Sequence, residues 1–310
     1  MRSIYAIGET TFDIVFRDNN PFRGVVGGSS LNTAVSLGRL QLPVSFISRF
    51  GNDTIGDLSA AFLIENGVNC RYISRFEGQS RIALAFLDKN NNASYQFYHG
   101  NKSPRLTFPP ITKNDIITFG SLNAIANKGR KNLLNFLTKA SNVNAITVYD
   151  PNIRNIEETE RESIVLKVEE NIALSTIVKG STEDFVRLYG TSDCKLLFKK
   201  FSNLGVKALF ITNGDRPVTL ITNRFKKSYQ VKKVDTVSTI GAGDNFTAGV
   251  IFGLWGENIS AGNIDSTDEK LWDEIVAYGC HFAREVCLSE SNYISEEFAS
   301  IFSKITFNNQ

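Results

Sequence analysis

Near the C-terminal end of the chain, IGAGDNFTAGV places a small, flexible loop immediately before an apolar stretch and gives that stretch an acid as its first residue. Gly241, Ala242 and Gly243 leave backbone N–H groups bare, and Asp244 is expected to open a helix running through Phe246, Val250 and Leu254. Unpaired amides at the positive end of a helix dipole favour a phosphate. A carboxylate at that place can take a proton from an incoming hydroxyl. Together they provide what phosphoryl transfer to an alcohol requires. An ordinary tight turn with an acid in the first helical turn would read the same way, so the rest of the chain has to decide.

Three further pieces carry polar residues at suggestive places: Asp13 in GETTFDIVF, the turn GGSSLNTA from Gly27 to Ala34, and GNDTIG from Gly51 to Gly56. Each has a structural alternative. Asp13 could be a turn acid, Ser29 could cap a helix, and Asp53 could cap the helix beginning at Thr54. Other chemistries have few residues to work with. The chain has 2 histidines, too few for an easy triad or zinc site. His99 reads as a lid residue and His281 as a helix-surface residue. The cysteines, Cys70, Cys194, Cys280 and Cys287, show no CxxC spacing. Cys280 and Cys287 would share one helix face as core residues, so neither a metal nor a disulfide is expected from them. Carboxylate chemistry is what remains.

The elements that must position these residues follow two rhythms. The first half begins with a strand at Ser3 to Ile7, an apolar piece at Asp13 to Phe16, and a helix from Ser30 to Leu40. It continues with a strand at Val44 to Ser48, a helix from Thr54 to Asn66, and short β segments at Cys70 to Ser74, Arg81 to Leu87 and Ala93 to Tyr98. The turn DKNNN joins the last two as a hairpin. From Ile116 onward, apolar strands (ITFG, AITVYD, TIVKG, ALFITNG) alternate with helical patterns ending near Ala140 and Ala173 and lying on either side of Asp193. That alternation implies an α/β fold with a mostly parallel sheet, helices on both faces, and ligands at the carboxyl ends of the strands. The early β segments form a flap of roughly residues 11–25 and 70–100 over that edge, a lid able to exclude water. No repeat, low-complexity tract or Pro/Gly/Ser-rich linker interrupts the chain, so residues 1–310 read as one domain with an inserted lid.

In this order and at these separations the pieces resemble the ribokinase-like sugar kinases, also called the phosphofructokinase-B (pfkB) family, and the resemblance covers essentially the whole chain. GGSSLNTAVSLGRL looks like the family's N-terminal signature and VSTIGAGDNFTAGV like its C-terminal one. The resemblance implies a three-layer ribokinase-like sandwich with a small β lid. Asp244 matches the catalytic base, and Gly241, Ala242 and Gly243 the anion hole that meets the γ-phosphate. Asp13, Gly28 and Asn32 match positions that hold sugar hydroxyls, and Arg154 in DPNIR is offered as a partner for phosphate or substrate. VKGSTED resembles the family's Asn-Glu-x-Glu stretch. There Lys179 and Ser181 belong to the nucleotide side, and Asp184 is expected to touch magnesium through water. Thr212 and Gly214 in ITNG look like the nucleotide loop, with Pro217 where a second glycine is usual. Ser238 stands where the family commonly has an aspartate of a monovalent-cation site, which leaves potassium activation uncertain, with Asp235 as a substitute.

The reading is an ATP- and magnesium-dependent sugar kinase acting on a primary hydroxyl, with fructose favoured by a general likeness of ALAFLDKNNNASYQFY and DPNIR to the fructokinase branch. A 2-keto-3-deoxygluconate kinase is the nearest rival, and such kinases tend to carry Arg where FYHG has His99. A nucleoside kinase would need an aromatic clamp, whereas Phe97 and Tyr98 read as lid packing. A dinucleotide-binding oxidoreductase would place GxGxxG after the first strand, where GETTFD stands instead. An inactive sugar sensor is at odds with the intact GAGD. With 34 basic and 32 acidic residues, a net charge of +2 supplies no field to attract nucleic acid or acidic membranes. The N-terminus MRSIYAIGET lacks a signal pattern, and no apolar run approaches roughly 18 residues. A cytoplasmic enzyme is expected, with exposed apolar lid residues allowing a homodimer.

Overall fold

Runs such as IYAI, IITFG and ITVYD are buried at every position because they are central strands with both faces covered. The computed structural model describes residues 2–87, 93–98, 105–153 and 156–307. The first half runs β1 (Ile4–Ile7), β2 (Thr11–Arg17), β3 (Asn20–Gly27), α1 (Ser29–Arg39), β4 (Val44–Gly51), α2 (Thr54–Glu65), β5 (Ile73–Phe76), β6 (Ile82–Leu87) and β7 (Ala93–Tyr98). The chain continues with β8 (Ile116–Gly120), α3 (Ser121–Ile125), α4 (Arg130–Asn142), β9 (Ile146–Asp150), α5 (Arg161–Ile172), β10 (Ile177–Ser181), α6 (Thr182–Tyr189) and α7 (Cys194–Ser202). It ends with β11 (Ala208–Asn213), β12 (Arg216–Thr222), β13 (Lys226–Tyr229), α8 (Ala242–Gly256), α9 (Glu269–Cys287) and α10 (Glu296–Phe307).

Nine strands form the main sheet in the order β13-β12-β11-β10-β9-β8-β1-β4-β5. The strands from β11 to β5 pair in parallel, and β12 and β13 add an antiparallel edge. Alternate side chains feed two cores. Ile4, Ala6 and Phe210 pack with Leu31 of α1, Phe246 of α8 and Trp272 of α9, while Tyr5, Ile7 and Leu209 pack with Phe136 of α4 and Phe185 of α6. Fully burying one such side chain contributes about 1.5–3 kcal/mol before entropy is counted, so the three layers hold together by apolar burial on both faces of the sheet.

A second, four-stranded sheet in the order β3-β2-β6-β7 forms the flap. Its make-up corrects one expectation: the β segment near residues 70–74, assigned to the flap from sequence, is β5 and belongs to the main sheet. It pairs in parallel with β4, Ser48 opposite Ile73. β4, α2 and β5 form a strand–helix–strand crossover, and a parallel neighbour reached through a helix docks beside its partner strand. The half-exposed character of Ile73–Phe76 made it look like the flap strands that follow. The antiparallel pair β12–β13 had no counterpart in the sequence reading.

On one face of the sheet α8 crosses α9 at very close range. A Cβ added to Gly249 would lie 2.4 Å from the Tyr278 carbonyl oxygen, and one added to Gly279 would lie 2.8 Å from the Phe246 ring. The helix that carries the GAGD loop is therefore seated by the absence of side chains. Gly249→Val should cost about 1–3 kcal/mol of overpacking strain, read as a lower urea midpoint with an unchanged slope. A midpoint equal to that of the unsubstituted protein would show that the helices do not rely on this contact.

Candidate active site

Asp244, expected from sequence to open the helix, is the third residue of α8, which starts two positions earlier at Ala242. The helix begins at Ala242 because Gly241 takes the left-handed conformation (φ 82°) and turns the chain as N-cap. A side chain there would also strike the Asn292 carbonyl, 2.4 Å from the Cβ position. The Ala242 N–H leans toward the Thr239 carbonyl at 3.3 Å. The amides that follow belong to the first helical turn, which has no intrahelical acceptors.

The carboxylate of Asp244 is buried, 7% exposed, and both its oxygens are held by α1. Ser29 Oγ donates to Oδ1 at 2.5 Å and Asn32 Nδ2 donates to Oδ2 at 2.8 Å. Thr33 Oγ1 donates to the Asp244 carbonyl at 2.9 Å. The two signature segments, more than two hundred residues apart, thus meet at one side chain. The structure places the N-cap of α1 at Gly28, φ 135°, where a Cβ would lie 2.3 Å from the Glu9 carbonyl. Ser29, read from sequence as a cap, is the first helical residue and a partner of Asp244.

Asn32 and Asp13, the two polar side chains expected to meet a sugar, are both buried. With its Nδ2 on Asp244, Asn32 keeps a buried Oδ1 with no hydrogen-bond partner among the described residues, an unsatisfied acceptor beside the carboxylate. Asp13, on the inner face of β2, accepts from Thr11 Oγ1 at 2.6 Å and lies against Gly27. A cavity between the flap and the main body is lined by Asp13, Val15 and Val25 on one side and by Ser238, Ile240 and Asn292 on the other. At its rim Arg17 and Arg23 both pair with Glu290, at 3.2 and 3.4 Å. Arg154 and His99 lie outside the described residues.

On the other side of the GAGD loop stands Lys179, in the middle of β10, whose side chain is 7% exposed. Its Nζ is 2.7 Å from Asp150 Oδ2 at the end of β9, and a Cβ on Gly243 would lie 2.9 Å from that same nitrogen. Burial acts to lower the Lys179 pKa, but the carboxylates of Asp150, Asp244 and Asp184 outweigh it and hold the ammonium above its ordinary value. Burial pushes Asp150 up to about 6, against the downward pull of Lys179, and Asp184 adds to the rise.

Ser181 and Asp184 form a capping box at the start of α6. Asp184 Oδ2 accepts from Ser181 N and Oγ at 2.9 and 2.7 Å, and Oδ1 accepts from Ile153 N at 3.0 Å. With donors on both oxygens, the carboxylate keeps spare lone pairs for a water but is poorly disposed to bind a metal directly. No group of three or more His, Cys, Asp or Glu among the described residues could hold one. Thr212, opposite Ser181 in register, and Gly214, exposed in the β11–β12 turn with φ 58°, border open space along the same edge. Asp53 is the N-cap of α2 and also accepts from Ser80 N and Oγ, so GNDTIG serves as a joint between α2 and the flap.

Two residues of this site escaped the sequence reading besides Ser29. Asp150 was passed over inside DPNIR. Asn245, fully buried, donates from Nδ2 to the carbonyls of Gly241 and Asn292, both at 2.8 Å, and accepts from Ser36 Oγ. A polar residue in the second helical turn amid GAGDNFTAGV could have signalled it, since a buried amide needs partners.

The chain matches the family described as pfkB family carbohydrate kinase over residues 1–298. It is 28% identical over 281 residues to a fructokinase of Rhizobium leguminosarum bv. trifolii, covering 86% of this chain and 84% of that one. Among solved structures, fructokinase from Vibrio cholerae O395 with fructose, ADP and calcium ion superposes with a TM-score of 0.83 at 19% identity, covering 97% of this chain and 99% of that one. Aminoimidazole riboside kinase from Salmonella enterica, complexed with aminoimidazole riboside and an ATP analogue, gives 0.81 at 21% identity, covering 97% and 100%. These likenesses show the ribokinase-like fold, and no helix among the described residues is long and apolar enough to cross a membrane. With a family match that spans both signatures and the whole sheet between them, the chain belongs to the pfkB carbohydrate kinases, ATP-dependent enzymes that phosphorylate sugars.

Proposed function

We propose that the protein is a fructokinase, transferring the γ-phosphoryl group of ATP to the 6-hydroxyl of fructose. The observation that carries the kinase chemistry is the Asp244 carboxylate, buried beside first-turn amides and fixed through both oxygens by Ser29 and Asn32. The choice of fructose draws on the fructokinase names of relatives such as that of Rhizobium leguminosarum bv. trifolii and on the charge balance of the pocket. Its lining cations among the described residues, Arg17 and Arg23, are both paired with Glu290. Glu290 and Asp13 together balance the two guanidiniums, so a sugar acid would bring in a further carboxylate with no cation of the lining left to offset it.

In this reading Asp13 and the free Oδ1 of Asn32 receive sugar hydroxyls and turn the primary one toward Asp244. As the hydroxyl oxygen bonds to the γ-phosphorus and the bond to the bridging oxygen breaks, Asp244 takes the hydroxyl proton. Carboxylates are weak bases, so proton removal comes late and positioning dominates. The amides after Gly241 and the Lys179 ammonium face the charge on the transferring group. Magnesium, when bound with the nucleotide, would neutralise phosphate charge, and Asp184 fits it only through water. Ser181, Thr212 and Gly214 border the nucleotide side, and Arg154 is assigned to the substrate by the family resemblance alone. Ser238 Oγ already accepts from Ile240 N–H and Asp235 is exposed, so no potassium dependence is part of the proposal. The lid edge strand β7 exposes Phe97 and Tyr98 by more than half, the surface a homodimer would use in a cytoplasmic enzyme.

Three measurements test this reading. Asp244→Asn should leave nucleotide binding in place while kcat falls on the order of 10²–10⁴; a variant keeping most of its turnover removes Asp244 from the chemistry. Fructose with a nonhydrolysable ATP analogue should slow amide exchange in β6, residues 82–87, by closing the lid; identical exchange with and without ligands rules closure out. In competition, kcat/KM for fructose should exceed that for 2-keto-3-deoxygluconate at least about tenfold, roughly 1.4 kcal/mol of discrimination. The reverse ranking would overturn fructose and leave the kinase assignment standing.

A further inference from the structure

A buried lysine in the middle of a strand is unusual, and Lys179 occupies such a place in IVKGS, where Ile177 to Gly180 are buried. β9 and β10 are adjacent and parallel, so Asp150 and Lys179 leave the sheet at the same carboxyl edge, both side chains 7% exposed. A buried ion pair is a poor stabilising device, since desolvating both charges offsets most of their attraction, and apolar residues of similar size often do as well. Keeping both charges inside therefore asks for another reason. Two features of the geometry supply one. The ammonium lies against Gly243, 2.9 Å from where its Cβ would be, and so beside the loop that faces the transferring phosphoryl group. It is also coupled to three carboxylates, Asp150, Asp244 and Asp184, of which Asp150 alone is in direct contact with it. Asp244 is already held by Ser29 and Asn32, and Asp184 by Ser181 and Ile153. Asp150 has Oδ1 without a hydrogen-bond partner among the described residues, and its one bonded oxygen is given to Lys179.

We propose that Asp150 is a positioning residue for phosphoryl transfer: it holds the Lys179 ammonium against the Gly241–Gly243 loop and away from the carboxylate of Asp244. Asp150 acts through Lys179 and touches neither sugar nor phosphate. Without it, the ammonium is drawn to the carboxylates that remain. Contact with Asp244 would tie up the base, and withdrawal from Gly243 would remove a positive charge from the place where the phosphoryl group passes. Either displacement slows the chemical step and leaves the sugar-binding groups on the opposite side, Asp13 and Asn32, as they were. The inference rests on the kinase reading of the same site.

The test is a double-mutant cycle in the full chain with Asp150→Asn, Lys179→Met and the pair together, preceded by turnover of the unsubstituted protein with ATP, magnesium and a sugar panel. No turnover with any sugar would sink the kinase reading itself, before any variant is compared. Given turnover, Asp150→Asn should lower kcat on the order of 10- to 100-fold with the sugar KM within about twofold, and should cost less than about threefold in the Lys179→Met background. Asp150→Glu should restore part of kcat by returning the charge. It also provides the single-variant comparison if Asp150→Asn does not fold, with kcat then expected to fall at unchanged sugar KM. A structural ion pair that only joins β9 to β10 would lower the melting temperature and leave kcat of the folded enzyme within about twofold. That result, or an equal cost of Asp150→Asn with and without Lys179, overturns the proposal.

Discussion

The active edge of this protein depends on how one carboxylate is fixed. Asp244 is buried with both oxygens and its own carbonyl bound to α1, and every larger feature arranges that contact. The parallel sheet brings α1 and α8 to the same face. The glycines of α8 and α9 let those helices approach until backbone meets backbone, and the left-handed Gly241 starts α8 at the height that puts its third residue opposite Ser29. A carboxylate left free in that space would rotate or draw in a counter-ion. Bound on two sides, it is presented in one orientation.

The same edge gathers several negative groups where an anionic substrate must bind, and the structure manages each differently. Asp244 is satisfied by neutral donors from α1. Asp184 is enclosed in a capping box with a backbone amide on its second oxygen. Asp150 is balanced by Lys179. Hydrogen bonds from neutral donors spread a carboxylate's charge without cancelling it, whereas an ammonium cancels it locally. With Lys179 given to Asp150, the charge it presents beside Gly243 is largely cancelled, and the partial positive charge of the α8 N-terminus is the feature at that place that no carboxylate neutralises by contact.

How much of this was legible in the sequence follows from what kind of information each contact needs. The GAGD loop, the Gly27–Gly28 turn, the alternating strands and Asp53 as a cap could be read locally, because backbone conformation and helix capping are set by a few neighbouring residues. Ser29 as a partner of Asp244, Asn245 as a tie to Asn292, and Asp150 as the partner of Lys179 could not. Each joins segments far apart in the chain, and each residue has an ordinary local reading. β5 misled for a related reason: a short, half-exposed strand looks alike on a lid and on a sheet edge, and only its register with β4 decides.

The flap and the phosphate loop are also joined by a continuous set of contacts. Arg17 and Arg23 on the flap hold Glu290, and two residues on, Asn292 uses its carbonyl to receive Asn245 Nδ2 and to crowd Gly241. The turn after α9 therefore touches the lid through one residue and the GAGD loop through another. Ser36 Oγ, bonded to Asn245 Oδ1 and to the Ile294 N–H, anchors that turn to the helix that fixes Asp244. The cavity bounded by these groups takes its lining from both sides, Asp13, Val15 and Val25 of the β2–β3 hairpin and Asn292 of the turn against which Gly241 is packed. At the middle of this chain of contacts, Asn245 and Asn292 touch the loop at its carbonyl and Cα side, leaving the first-turn amides of α8 free of them.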